Sequence, residues 1–331
     1  MNQSKFSLAD VLTVFASIVF GIVSFLGADF LNINNSKVWG MSHTTGCLVM
    51  AIVIALLLGG TAFGAKLLKR TSRNFKTCFI FEVILLVFFV LFAIFFASKA
   101  SPFPHFFTVN SHKTEIKNKL QTSITQAENM FSAYETYADN RENLYREKLK
   151  SVVVAKDINP QEYADFGFVN GVSDASQIDT KMFTVRADLF PTNYSDSIAN
   201  NGIKEVATLW LKDAKSTTNS WYFPIGSTNI VTDIEQKSNE WLNILLTLSQ
   251  ERGQGEQAKD FIYSLSFEDV KTYYTKLVFP LGIAILCAVL AYLLMLLSWL
   301  VTKRSTRIGS LKYLLSLFKS NNNAKKVNNT L

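Results

Sequence analysis

The sequence predicts a mainly α membrane protein: four transmembrane helices with a large, mostly helical extracytoplasmic domain between spans three and four. Three observations carry that expectation. Of the 331 residues 49% are hydrophobic, with 27 Phe and only 6 Pro, and the apolar residues come in blocks instead of being spread. Four blocks, Val11–Ala28, Thr44–Ala65, Thr77–Ser98 and Leu277–Thr302, reach the length of about 20 residues that a helix needs to cross a bilayer. Glu82 is the one charge inside them. The third observation is the charge distribution.

Residues 101–275 hold 17 basic and 23 acidic side chains, whereas the rest of the chain holds 16 basic and 3 acidic. Lys66, Lys69, Arg70, Arg73 and Lys76 lie between spans two and three. Lys303, Arg304, Arg307, Lys312, Lys319, Lys325 and Lys326 follow span four, and only Lys37, Lys99 and Lys276 sit at the opposite ends. Positively charged turns stay in the cytoplasm. Both termini and the 66–76 turn are therefore expected inside, with the 29–43 loop and the 100–275 domain outside. The net charge of +7 belongs to membrane flanks, so the expected surrounding is the lipid bilayer and no nucleic acid is expected as a partner. Cys47, Cys78 and Cys287 all lie in spans, so no disulfide can staple the outer domain. At about 175 residues it is large enough to hold by packing alone. A large, disulfide-free outer domain suits a bacterial inner membrane.

The organisation read from the chain is three spans within residues 1–99 (about 8–29, 44–66 and 77–98), the outer domain over 100–275, a fourth span over 276–302 and a basic amphipathic cytoplasmic tail over 303–331. Span one opens with Ser7 and Asp10 at capping-box spacing, the Asp at the positive end of the helix dipole. Its apolar run exceeds that of a cleaved signal peptide, so a retained span is expected. Span two carries Gly59, Gly60 and Gly64. The GxxxG of Gly60 and Gly64 lets helices touch backbone to backbone, within the chain or between chains. Span three is dense in Phe, a face suited to lipid or a large groove. Glu82, one and a half turns inside it, is an ionisable group with a cost in lipid; Lys76 and Arg73 stand close enough to pair with it.

Ser101–Phe107 carries two prolines that stop a helix and aromatics that fit an interfacial belt. From Ser111 to Ala155, Ile116, Leu120, Ile124, Ala127, Phe131, Tyr134, Ala138, Tyr145 and Leu149 recur mostly at steps of three and four, predicting one long helix packed within a bundle. Asn159-Pro160-Gln161-Glu162 signals a new short helix. Residues 167–194 read as loops with a short helix or strand, followed by a helix over 195–215 and an aromatic turn at Trp221, Tyr222 and Phe223. Thr232 and Glu235 form a capping box for a helix with Trp241, Leu242, Leu245 and Leu248 on its apolar side. A last helix, starting between Glu256 and Ser266, is expected to run straight into span four with a kink at Pro280. Beyond that span Ile308, Leu311, Leu314, Leu315 and Phe318 form an amphipathic stripe suited to the membrane surface or a partner groove.

Catalytic signatures are missing. There is no GxxxxGK[ST], no GxGxxG after a strand, no HExxH and no CxxC. His105 and His112 would share a helix face, but no third metal ligand accompanies them. No catalytic residue, cofactor or metal site is expected, and the chain does not read as an enzyme. Four clean spans without broken helices or repeats argue against a transporter or channel.

The layout is that of a tetraspanin, but the outer loop lacks the Cys-Cys-Gly signature and every disulfide. Spans at 11–28, 44–65, 77–98 and 277–302 around a cysteine-free outer domain resemble TssN-type inner-membrane subunits of type VI secretion systems, at the level of architecture. The resemblance implies a non-enzymatic structural subunit of a multiprotein bacterial envelope complex, oligomeric within the assembly. Its partners would be other membrane and periplasmic subunits, with cytoplasmic baseplate components of a contractile injection machine beneath. Trp221, Tyr222 and Phe223 outside, and Leu311, Leu314, Leu315 and Phe318 inside, are the candidate interface residues. The alternative is a ligand-binding sensor that shifts span four against span three through continuous helices and signals through a partner protein.

Overall fold

The computed structural model describes residues 7–33, 37–71, 75–195 and 201–304. The chain divides into two compact units, one running to Thr108 and resuming at Leu277, the other Val109–Lys276. Among the described residues every regular element is a helix, apart from one isolated bridge between Val38 and Met41.

The first unit contains α1 (Leu8–Leu31), α2 (His43–Arg70), α3 (Phe75–Phe96), the start of α4 (Pro102–Ser111) and α11 (Gly282–Val301). All but α4 are long and apolar enough to cross a membrane. They lie where the hydropathy places them, with ends shifted by a few residues. Lipid tails are as apolar as Leu, so burial alone does not drive such helices together; close packing and polar pairs must. Both are present. Helix α1 packs on α2 and α11, and α2 also packs on α3 and α11. At the α1–α2 contact Gly21 sits against Ala55, where an added Cβ would come within 3.1 Å of the Ala55 methyl, and Gly59 meets Ser17. The Phe side chains of α3 divide by face: Phe88 and Phe95 are exposed, whereas Phe89 and Phe96 are buried against Phe20, Leu58 and Met295.

The segment expected to stop span three and lie at the interface does stop it, but then folds into α4. A turn at Ala97–Ser101 separates the two helices. Phe103 stacks on Phe20 at 3.9 Å, and Gly27 lies directly under the Pro102 carbonyl. These aromatics therefore fill the bundle instead of standing free at a headgroup layer. Pro102 and Pro104 are tolerated because the first turn of a helix leaves their missing N–H groups without consequence.

The second unit is built on α5 (Lys113–Val154), 42 residues and about 63 Å long. Every residue of its expected stripe is buried, and the partners are α7 (Asp174–Leu189), α8 (Ile203–Asn219) and α9 (Thr228–Gln250). Around the C-terminal half of α5, Tyr145, Leu149 and Val152 pack with Tyr163, Phe166, Phe168, Met182 and Val185. Each such large side chain contributes about 1.5–3 kcal/mol by burial. The short α6 (Pro160–Asp165) starts as its sequence signals, Asn159 accepting from the Glu162 N–H at 3.3 Å.

The helix expected over 195–215 is α8, which starts later, at Ile203, and runs on to Asn219. Three further expectations need correction here. The loop-like 167–194 stretch contains the 16-residue α7, whose Ile178, Met182, Val185 and Leu189 make a helical stripe that the Gly and Pro on either side obscure. Thr232 does not cap: α9 begins at Thr228 after a one-turn 3-10 helix at Ile225–Ser227, and the Thr232 hydroxyl bonds back to the Thr228 carbonyl at 2.8 Å. The third correction is the largest. No long helix runs into span four; residues 251–270 form an extended strap, followed by the five-residue α10 (Lys271–Thr275) and a non-helical 276–281 that contains Pro280. The geometry of α5 explains the strap. From Glu256, at Arg141, to Glu268, at Lys119, the strap follows 22 residues of α5 with 12 of its own. Those 22 helical residues are about 33 Å long; 12 residues reach that far when extended at about 3.3 Å each but cover only about 18 Å as a helix.

Candidate functional site: an ionic cluster inside the span bundle

One end of the four-span bundle buries a connected set of charges. Asp10, in the first turn of α1, is 1% exposed. Its carboxylate accepts from the Ser7 N–H at 2.9 Å and the Ser7 hydroxyl at 3.0 Å, which is the reach-back expected of a capping box. It also accepts from the Lys66 ammonium of α2 and the Ser298 hydroxyl of α11. One turn further along α1, Thr13 donates to the Met295 carbonyl at 3.0 Å. Lys69, three residues after Lys66 and hence on the same side of α2, donates to the Trp299 carbonyl at 2.7 Å and lies 4.2 Å from the centre of its indole ring.

Glu82 closes the set on α3. It is 1% exposed; one carboxylate oxygen accepts from the Trp299 indole N–H at 2.9 Å and from the Arg304 guanidinium at 2.7 Å. Arg304 itself lies over the Phe79 ring. The other Glu82 oxygen is buried and has no hydrogen-bond partner among the described residues. Glu82 therefore does not turn outward to Lys76, which is exposed; Arg73 lies outside the described residues. The reason is geometric: the aromatic and basic end of α11 reaches Glu82 on the inner face of α3, whereas Lys76 sits on the outer face. At the other end of the bundle Asp29 of α1 meets His43 of α2 at 2.8 Å. All three acidic residues outside 101–275 thus pair with a basic residue of another segment.

Chemically this is a lock. Each carboxylate faces a cation, Asp10 the Lys66 ammonium and Glu82 the Arg304 guanidinium. Removing one partner of a buried pair costs about 3–5 kcal/mol because it strands the other charge. The pairs tie α1 to α2, α1 to α11, α2 to α11 and α3 to α11, so the four helices are held as one body.

The other residues singled out in the sequence fall as follows. Gly59 packs on Ser17 of α1, and Gly64 faces Leu85 of α3, 3.0 Å from an added Cβ. Gly60 is exposed with open space around it. The GxxxG pair thus does not work as a unit: Gly59 and Gly64 pack within the chain on different neighbours. In the aromatic turn, Trp221 is 89% exposed and Tyr222 40%, but Phe223 is 3% exposed, so Phe223 is a core residue and not a surface one. Leu311, Leu314, Leu315 and Phe318 lie outside the described residues.

A second charged cluster, in the Val109–Lys276 unit, was invisible in the sequence. Arg141 of α5 and Glu256 of the strap are both buried. The guanidinium donates to both Glu256 oxygens, at 2.6 and 2.9 Å, to the Ser249 carbonyl at 3.0 Å and to the Glu251 carbonyl. Burial opposes its charge, but Glu256 outweighs it and holds the guanidinium above its ordinary pKa. Arg141 so caps the C-terminus of α9 and latches the strap in one contact. Beside it the Tyr145 hydroxyl donates to the Gln254 carbonyl at 2.8 Å, and burial followed by the nearby Glu256 pushes the phenol up to about 12. Local signals do not reveal such a pair, because 115 residues separate its members.

Among the described residues no group of three or more His, Cys, Asp or Glu side chains is arranged to hold a metal ion. No protein-family model matches the chain, and neither does any curated protein or solved structure.

Proposed function

We propose that this chain is a non-enzymatic structural subunit of a multiprotein bacterial envelope complex, anchored in the inner membrane with both termini cytoplasmic and the Val109–Lys276 unit periplasmic. The type VI secretion membrane complex is the assembly that the architectural resemblance nominates. The observation that carries the reading is an apolar cap at the end of the second unit formed by the C-terminus of α5. Val154, Ile158, Val169 and Val172 are 85%, 89%, 60% and 53% exposed. Val154 ends α5 and Ile158 lies on the turn after it, whereas Val169 and Val172 lie on the turn before α7; the Lys156–Asp174 pair at 3.1 Å joins the two segments, and Gln177 braces the second by bonding the Val169 N–H and carbonyl. Four large aliphatic side chains held in water on braced turns mark a contact surface for protein. The locked span bundle supports the same reading, since it makes a rigid anchor. The excess of basic residues around 66–76 and after span four supports the orientation.

A sensor working through continuous helices finds less support. The turn at Ala97–Ser101, α4, the strap and the non-helical 276–281 interrupt both connections. Purification in mild detergent tests the proposal. Stoichiometric membrane, periplasmic or baseplate partners should accompany the wild type, and Ile158→Lys with Val169→Lys should lose a periplasmic partner while keeping the helical content. A monomer that brings down nothing refutes it.

A further inference from the structure

We propose that Trp221 and Tyr222 are a lipid-contacting foot: the second unit rests this turn in the headgroup layer of the bilayer that its own spans cross. The inference rests on the four-span reading and is independent of any partner protein. Its first support is where the turn sits within the unit. Asn219, two residues before Trp221, accepts from Gln121 in the N-terminal part of α5 at 2.9 Å, and Ser227 lies 3.3 Å from the Tyr274 hydroxyl in α10. The turn is therefore at the end of the unit from which both chain connections leave for the spans. Covalent reach makes this end the one that lipid can meet. From Tyr274 to the start of α11 at Gly282 is eight residues, at most about 28 Å of chain. From Gln121 back to Lys113, where α5 begins, is about 12 Å of helix, with one turn residue, His112, between it and α4.

The second support is chemical. Trp and Tyr favour membrane interfaces because an apolar ring body carries one polar hydrogen-bonding tip. The turn presents both, packed edge to face at 5.8 Å. It cannot retract them: Phe223 is buried beneath, the Ile225 N–H closes on the Tyr222 carbonyl at 2.9 Å, and the Tyr222 ring covers Gly226 so closely that a Cβ there would overlap it. Charge adds a third support. Lys113 and Lys276 belong to the same end and have no ion-pair partner among the described residues, whereas Asp269 is held by Thr272 with Lys271 beside it, Glu115 is engaged by Tyr273 and Glu268 by Lys119. Unpaired ammonium groups beside exposed indole and phenol suit an anionic headgroup.

The test uses the full chain in vesicles of phosphatidylethanolamine and phosphatidylglycerol, with and without lipid brominated on the acyl carbons nearest the headgroup. Subtracting the emission of Trp221→Phe from that of the wild type isolates the Trp221 signal. The expected result is that bromolipid removes at least half of that signal while aqueous acrylamide hardly touches it. Full quenching by acrylamide with no effect of bromolipid overturns the proposal, since the turn then stands in water. Protection from both quenchers also overturns it, and assigns the turn to a protein contact. The remaining tryptophans of Trp221→Phe serve as the control, because Trp299 lies within the span bundle. If bromolipid leaves their emission unchanged, the spans are not in lipid and the membrane reading falls together with the foot.

Discussion

The Arg141 latch gives the sharpest test of how the second unit is held. Replacing Arg141 with Ala removes two charge-assisted bonds to Glu256 and the donors to the Ser249 and Glu251 carbonyls. Glu256 stays buried, with the Gly253 N–H at 2.8 Å left as its hydrogen-bond donor among the described residues. Stranding one member of such a pair costs about 3–5 kcal/mol. For a unit of this size each kcal/mol lowers the melting temperature by about 2–4 °C, so Arg141→Ala should melt about 6–20 °C below the wild type. The loss should also be local first. In hydrogen exchange of the full chain in detergent, the amides of 251–270 should lose protection well before those of α7 and α8. Arg141→Met combined with Glu256→Leu removes both charges and keeps the volume, so it should recover most of the stability lost in the single variant. A melting temperature within 2 °C of wild type for Arg141→Ala, or a double variant no better than that single one, would refute the latch.

Three further outcomes follow from the same geometry. Arg304→Ala should destabilise the span bundle by about 3–5 kcal/mol in a detergent-unfolding assay, because it strands Glu82, whereas Glu82→Gln should cost clearly less. Gly59→Ala forces a methyl onto Ser17 and should lower the melting temperature, while Gly60→Ala, with open space around it, should be neutral or slightly stabilising through helix propensity. Burial pushes the Tyr145 and Tyr274 phenols up to about 12. A folded-state pKa raised above the unfolded value of about 10 stabilises fully below pH 10, and that stability is lost as pH rises through 12. An alkaline titration followed at 295 nm should therefore show these two tyrosines ionising together with unfolding. Tyr145→Phe combined with Tyr274→Phe should delay that unfolding, and early ionisation without loss of helix would exclude the reading.

What was legible in the sequence is what local chemistry and periodicity specify. Four apolar runs announce four span-length helices because each must satisfy its own backbone in lipid. The stripe from Ile116 to Leu149 announces α5 because one face of a long helix must be covered. Asn159 and Pro160 announce α6 because a cap acts within one turn. The boundaries of α7 and α9 were less legible, since Gly, Pro and Thr carry turn and cap signals that packing overrides here.

The candidate site was half legible. Glu82 stood out as an ion in an apolar run, and Asp10 as a cap, but their partners are set by which helix faces which. Lys66 lies 56 residues from Asp10, Ser298 lies 288, and Arg304 lies 222 from Glu82. The strap is the clearest case of the tertiary structure deciding. Gly253 and Gly255 end α9 by local signals, but nothing in the local propensity of 256–270 forbids a helix; only an extended chain is long enough to run beside α5 from Arg141 to Lys119. Sequence alone determined the helices and the apolar faces they must cover, because those depend on neighbours a few residues away. Tertiary structure decided the ion pairs, the latch and the strap, because each depends on distances between segments that the chain brings together only on folding.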